Sequence, residues 1–226
     1  MPIAVLGTGP VGQTIAAKLA ELGHEVTVGT RDVEVAMART EVDMFGNPPF
    51  PEWQAQHPDI GVATLSDAAG AAELVVNATN GAGSINALEI AGEENLTGKV
   101  LLDIANPLDF SQGMPPSLLV SNTDSLGEQI QRRFPDTRIV KALNTMSAYL
   151  MVDPKQFAGG DHTVFLSGND DDAKATVAEL LRSFGWADVI DLGDITTARG
   201  AEMVLPIWVR LMGALDTPMF QFKIVR

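Results

Sequence analysis

Short apolar runs alternate with amphipathic stretches along most of this chain, the pattern of parallel strands buried on both faces and joined by crossover helices. Strands are predicted at residues 3–6, 25–28, 61–64, 73–78, 100–104, 138–143, 162–167 and 188–192. Between the first two, Val11, Ile15, Leu19 and Leu22 recur at helical spacing and form one apolar stripe, with Gly23 as its stop. Leu126, Ile130 and Phe134 make a second stripe, opened by Ser125 and Glu128 at capping-box spacing. A third runs through Ala173, Val177, Leu180, Leu181 and Phe184, with Asp170, Asp171 and Asp172 at the end where the helix dipole favours negative charge. Two segments break this rhythm. Residues 43–58, rich in Pro and aromatics (Phe45, Phe50, Trp53), are expected to be a packed insertion or part of a substrate rim, and the tail from Ile195 onward is expected to be helical. The fold class implied is α/β: a Rossmann-type doubly wound, mostly parallel sheet with a short C-terminal helical segment. One domain is expected over 1–226, with its core at 1–193 and the helical tail at 194–226.

The first predicted strand runs into Gly7-Thr8-Gly9-Pro10-Val11-Gly12, and the first predicted helix leaves from it. A GxGxxG string alone is common; between a strand and an amphipathic helix it is a dinucleotide-binding fingerprint. Gly7 permits the tight turn, Gly9 lets the backbone approach a pyrophosphate, and Gly12 lets helix and strand pack closely. Free amides at the positive end of the helix then hold the phosphates. The ribose should be read about twenty residues further on, where the chain has Val28-Gly29-Thr30-Arg31-Asp32. Thr30 and Arg31 suit the 2'-phosphate of NADP, Arg31 through a forked, charge-assisted grip. Asp32 is the objection: a register two residues along, with Asp32 rather than Thr30 at the strand end, would make it the carboxylate of an NAD enzyme.

In an open parallel sheet, ligands bind beyond the carboxyl ends of the strands. Three such ends carry polar residues: Thr79 and Asn80, then Ala105 and Asn106, then Asn144, Thr145 and Met146. Asn and Thr can satisfy a ribose or a carboxamide, and they are equally ordinary turn and capping residues. The sole Tyr, Tyr149, has Asp153 rather than Lys four residues on, so no Tyr-Lys acid pair stands at that spacing. His24, His57 and His162 lack metal-ligand spacing, and no general acid or nucleophile is evident; the catalytic residues stay unassigned, with no metal expected. Hydride transfer between two rings needs mainly close, aligned stacking and can proceed without such a group.

Composition narrows the partners. The chain has 226 residues, 46% hydrophobic and 19% charged, long enough for a sizeable core. A formal charge of -14, with 15 Lys and Arg against 29 Asp and Glu, argues against nucleic acid and makes any anion site a local device. Zero Cys excludes disulfides and thiol chemistry and fits a reducing compartment. No leader is apparent, and the most apolar late stretch, 203–215, is short and carries Arg210, so a cytoplasmic protein with no membrane partner is expected.

With the glycine loop, Val28-Gly29-Thr30-Arg31, Lys141-Ala142-Leu143-Asn144-Thr145, Gly168-Asn169-Asp170 and Leu205-Pro206-Ile207-Trp208, the chain resembles the coenzyme F-420-dependent NADP reductase family almost end to end. It is also similar to the cytoplasmic reductase domain of six-transmembrane metalloreductases. The resemblance implies hydride transfer between NADPH and a deazaflavin (coenzyme F-420) or flavin. It assigns Gly7, Thr8, Gly9, Pro10, Val11 and Gly12 to the pyrophosphate and Thr30 and Arg31 to the 2'-phosphate. Asn144, Thr145 and Met146 would border the reacting rings. Archaeal members tend to have His where Asn144 stands, which leaves the acceptor open. It also implies a homodimer through the last helix, with Met203, Leu205, Trp208, Leu211, Met212, Met219 and Phe220 as contact residues. Two other functions stay open: a small imine or keto-acid reductase, against which only 33 residues follow Gly193, too few for a helical substrate domain, and a non-catalytic NADP(H) sensor.

Overall fold

A computed structural model describes residues 1–42 and 46–226. Phe45 of the predicted aromatic insertion lies outside the described residues. The strands are β1 (Pro2–Leu6), β2 (Glu25–Thr30), β3 (Gly61–Thr64), β4 (Leu74–Asn77), β5 (Val100–Asp103), β6 (Leu108–Asp109), β7 (Ser117–Leu118), β8 (Arg138–Ala142), β9 (Thr163–Gly168) and β10 (Asp188–Asp191). The helices are α1 (Pro10–Glu21), α2 (Val33–Met37), α3 (Phe50–Gln56), α4 (Leu65–Ala71), α5 (Ser84–Ala91), α6 (Glu93–Leu96), α7 (Leu126–Arg133), α8 (Ala148–Val152), α9 (Asp171–Ser183), α10 (Ala198–Met203) and α11 (Leu205–Leu215).

All eight predicted strands form one sheet in the order β10-β9-β8-β5-β4-β1-β2-β3, while β6 and β7 make a small antiparallel hairpin beside it. From β3 to β8 every pair is parallel, with the chain order reversing between β1 and β4, the doubly wound arrangement. β9 then pairs with β8 antiparallel, and β10 follows β9 in parallel. The carboxyl ends of β1, β2, β4, β5 and β8 therefore share one edge of the sheet, and those of β9 and β10 point the other way.

The apolar runs are buried on both faces because successive strand residues point to opposite sides. Ile3 and Val5 join the layer of α1, α3, α8 and α9, while Ala4 and Leu6 join that of α4, α5, α6 and α7. In α1 the predicted stripe is half kept: Ile15 and Leu19 are buried, but Leu22 has become the C-cap and is exposed. Gly23, at φ +83, closes the turn as expected. The stripes of α7 and α9 lie buried throughout.

Two segments depart from the sequence reading. The predicted insertion contains the helix α3, started by Pro49 and by Pro51 in its first turn, where a missing N–H costs nothing. Its Phe50 is buried in the core, with Trp53 stacked on it at a centroid distance of 5.6 Å. The tail is helical only to Leu215: Asp216 adopts a left-handed φ of +51, and the last residues run beside β9, where Phe222 O accepts from Thr163 N at 3.0 Å.

Of the capping box predicted at α7, the Ser125 side-chain cap forms, while Glu128 turns to the Ser125 hydroxyl rather than to its backbone N–H. Ser125 Oγ accepts from Glu128 N at 3.1 Å and donates to Glu128 Oε2 at 2.8 Å, while Arg199 Nε donates to that same oxygen at 2.8 Å. The Arg199 hydrogen bond, together with Ser125, holds the Glu128 carboxyl below its ordinary range against the opposing effect of burial. Replacing Ser125→Ala should lower unfolding free energy by roughly 1–2 kcal/mol, a lost N-cap, read as a shift of the urea midpoint. An unmoved midpoint would show that α7 does not need this cap.

Candidate cofactor site at the carboxyl edge

The turn between β1 and α1 is held by close backbone packing. Gly7 has φ +126 and donates its N–H to Gly29 O at 3.0 Å. A Cβ on Gly12 would stand 2.1 Å from Gly7 O, so only glycine lets the first turn of α1 sit against the strand end. Gly9 differs: a Cβ there would meet nothing within 4 Å. The space above Gly9, at the mouth of a twelve-residue helix, is open to a ligand. Pro10 starts the helix without an N–H of its own, and Gln13 Nε2 ties the loop down by donating to Thr8 O at 2.9 Å.

β2 runs two residues beyond its predicted end, so its last residue is Thr30, buried at 7% exposure and paired in register with Thr64. Arg31 follows at the surface. Asp32 lies past the strand and caps α2, its Oδ1 accepting from Val35 N at 2.9 Å. The residue at the strand end is thus Thr30, with a cation next to it. A second cation was missed from sequence: Arg39, after α2, donates from Nη1 to Thr8 Oγ1 at 3.0 Å and so reaches the glycine loop. A signal for it existed, since only Lys18, Arg31 and Arg39 precede Lys99 among the Lys and Arg residues of this acidic chain.

The three polar strand ends come together, since β4, β5 and β8 are neighbours. Their side chains are largely occupied by one another. Thr79 Oγ1 donates to Asn77 Oδ1 at 2.6 Å, and Asn80 caps a short 3-10 turn by accepting from Ala82 N at 3.0 Å. Asn106 Nδ2 donates to Asn144 O at 3.0 Å, and Asn144 Nδ2 returns to Asn106 Oδ1 at 3.2 Å and to Ala201 O at 3.2 Å. Asn144, Thr145 and Met146 are all buried, as is Ala105. Leu143, just before them, has a left-handed φ of +61, an uncommon conformation for a branched side chain and a local strain at the edge.

A cleft of about 1420 Å³ starts at Pro10 and Val11 and follows the outer face of α1 down to His24. Its walls are α3 through Trp53, the β6–β7 hairpin through Leu108, α8 through Tyr149, and α11 through Trp208 and Met212. The aromatic segment is therefore both packed insertion and rim. His57 stacks on Trp53 at 4.5 Å. On two walls, Ser147 Oγ and Trp208 Nε1 are buried with no hydrogen-bond partner among the described residues. A mainly apolar cleft of this size fits a flat heteroaromatic ring.

Known proteins with similar sequences share this frame. The family profile of NADP oxidoreductases, coenzyme F420-dependent, matches residues 2–107. The crystal structure of a candidate F420-dependent NADP reductase from Arthrobacter sp. FB24 is 65% identical over 100% of both chains, with a TM-score of 0.96. An F420-dependent NADP reductase from Methanothermobacter marburgensis is 29% identical over 93% of this chain and 92% of its own. Metalloreductase STEAP3 of Rattus norvegicus is 26% identical over 91% of this chain, which spans only 37% of that protein. Among the described residues no helix is long and apolar enough to cross a membrane.

Two of the three glycines of the loop make different predictions for the protein without ligand. Gly12→Ala should shift the thermal midpoint down by several degrees, on the scale of roughly 1–3 kcal/mol for an overpacked site. Gly9→Ala should leave the stability within about 1 kcal/mol of the parent, and the midpoint nearly unmoved. A reversed order would contradict the packing described here.

Proposed function

The chain belongs to the coenzyme F420-dependent NADP oxidoreductase family and is an NADP-dependent oxidoreductase, and we propose that it moves a hydride between NADP(H) and a ring acceptor, a deazaflavin such as coenzyme F420 or a flavin. The observation that carries this reading is the open face above Gly9 at the α1 mouth, edged by Arg39 and leading directly into the α1 cleft.

In this reading the backbone of residues 7–12 would hold the diphosphate against the positive end of α1. Thr30, Arg31 and Arg39 would hold the 2'-phosphate. Two guanidinium groups at this spot answer the electrostatic problem of the chain: with a formal charge of -14, an anion has to be met by local cations and fixed amides. Thr79, Asn80, Ala105, Asn106, Asn144, Thr145 and Met146 would shape the seat of the nicotinamide. Because most of their polar atoms are already engaged, they would contribute shape and backbone groups more than free side chains. When bound, the nicotinamide supplies the hydride, and the cleft beside Pro10 and Val11 would stack the second ring against it. The apolar walls would keep water away from the reacting rings.

We further read the protein as a cytoplasmic homodimer. Ile207 and Leu215 on α11 are 55% and 53% exposed and Met203 on α10 is 39% exposed, an apolar face that a second copy would cover. Leu205 is not part of that face: it is 3% exposed and packs within its own chain.

Arg31→Ala and Arg39→Ala should each weaken NADPH about tenfold or more while leaving NADH nearly unchanged, the scale of one charged hydrogen bond. Calorimetry with both nucleotides checks this, and equal losses for the two would remove the 2'-phosphate assignment. For the reaction itself, NADPH is offered with coenzyme F420, FMN, FAD and ferric chelates in turn while nicotinamide absorbance is followed. Rapid oxidation by one ring acceptor is expected; tight NADPH binding with no oxidation by any of them would favour a sensor instead.

A further inference from the structure

Below the three strand ends lies a buried charged cluster that the proposed chemistry does not use. Lys141, on β8, is 1% exposed. Its Nζ lies 2.9 Å from Asp103 Oδ2 on β5 and 3.1 Å from Glu202 Oε1 on α10, and it donates to the carbonyl of Ala105. Burial opposes the ammonium charge, but the two carboxylates outweigh it and hold the Lys141 pKa above its ordinary value. Asp103 Oδ1 in turn accepts from Asn77 Nδ2 at 2.8 Å and from Ala105 N at 3.2 Å. Asn77 carries the bond from Thr79 Oγ1. Glu202 accepts from the first amides of α7, Leu126 N at 2.8 Å and Gly127 N at 3.0 Å.

Each of the three loop ends is thus tied to the same ammonium by at most a few bonds. The end of β4 is held through Thr79, Asn77 and Asp103. The end of β5 is held directly at Ala105 O. The end of β8 is reached from above, where Asn144 bonds both Asn106 and Ala201, the residue before Glu202. Backbone contact closes the set: a Cβ on Gly81 would stand 1.9 Å from Asn106 O. A buried pair is a poor source of net stability compared with apolar side chains of similar volume, so such a cluster is better suited to fixing one arrangement among several.

We infer that Lys141 is a positioning residue, the hub by which Asp103, Asn77 and Glu202 fix the three strand ends at the spacing that seats the nicotinamide half of the cofactor. This rests on the reading that NADP(H) lies along the carboxyl edge. The adenosine half would bind at the glycine loop, Arg31 and Arg39, which are not among the hub's bonds. The hub therefore acts on one half of the cofactor and leaves the other alone.

The test separates the halves with two probes, 2',5'-ADP, which lacks the nicotinamide, and NADPH, titrated by calorimetry and by bound-nicotinamide fluorescence. In Lys141→Met the affinity for 2',5'-ADP should stay within about twofold, as expected for distant sites. NADPH should weaken roughly tenfold, and its bound emission should move toward that of the free nucleotide. Lys141→Met leaves two carboxylates buried without their cation and can fail to fold. Asp103→Asn keeps the volume and leaves Lys141 with one counter-charge, so it carries the same comparison in a milder form. Folded variants that bind both probes as the parent does, or that lose both in equal proportion, would overturn the inference. Failure of the parent protein to bind NADPH at all, by contrast, would bring down the functional reading on which it rests.

Discussion

The carbonyl of Gly7 lies where a side chain on Gly12 would have to be, and this contact sets the height of α1 above the end of β1. Because no Cβ intervenes, the first turn of the helix is drawn onto the edge of the sheet, and its unpaired amides face the space above Gly9. Had α1 been held further out, the helix would still have covered Ile3 and Val5. Its positive end, however, would no longer have met the open ends of β4 and β5. The core needs the helix; the site needs the glycines.

Charge is used sparingly around this contact. In an acidic chain, the cations near the glycine loop are Arg31 at the end of β2 and Arg39 after α2, and Arg39 comes back to Thr8 across a sequence gap that includes the whole of α1 and β2. At the neighbouring strand ends the polar atoms are mostly turned inward, engaged with one another and, beneath them, with Lys141 and its carboxylates. One part of the edge carries exposed guanidinium groups, and the other is fastened shut by its own hydrogen bonds. That division follows from desolvation: an exposed guanidinium keeps its hydration until a phosphate replaces it, whereas buried amides and carboxylates must be satisfied within the protein.

The reversal at β9 completes the arrangement. Running antiparallel to β8, it takes the chain away from the carboxyl edge. The chain then returns through α10, which brings Glu202 under the strand ends, and α11, which walls the cleft opposite α1. The short C-terminal segment thus walls the cleft as well as presenting an apolar face.

Much of this was legible in the residues themselves. Apolar runs such as Ile3-Ala4-Val5-Leu6 specify strands buried on both faces, and the glycine string between strand and helix specifies the turn, because both depend on local geometry and on which side chains can leave water. The cap of α7 by Ser125 was legible for the same reason. Other features depended on the assembled chain. The burial of Phe50 at the start of α3 and the run of the last residues beside β9 were decided by what those segments pack against. Arg39 reaches Thr8, and Lys141 meets Asp103 and Glu202, only because the strand order makes neighbours of distant positions. A side chain's partner across the sheet is set by topology, and topology follows from burying the whole set of apolar runs at once, which no local pattern along the chain encodes.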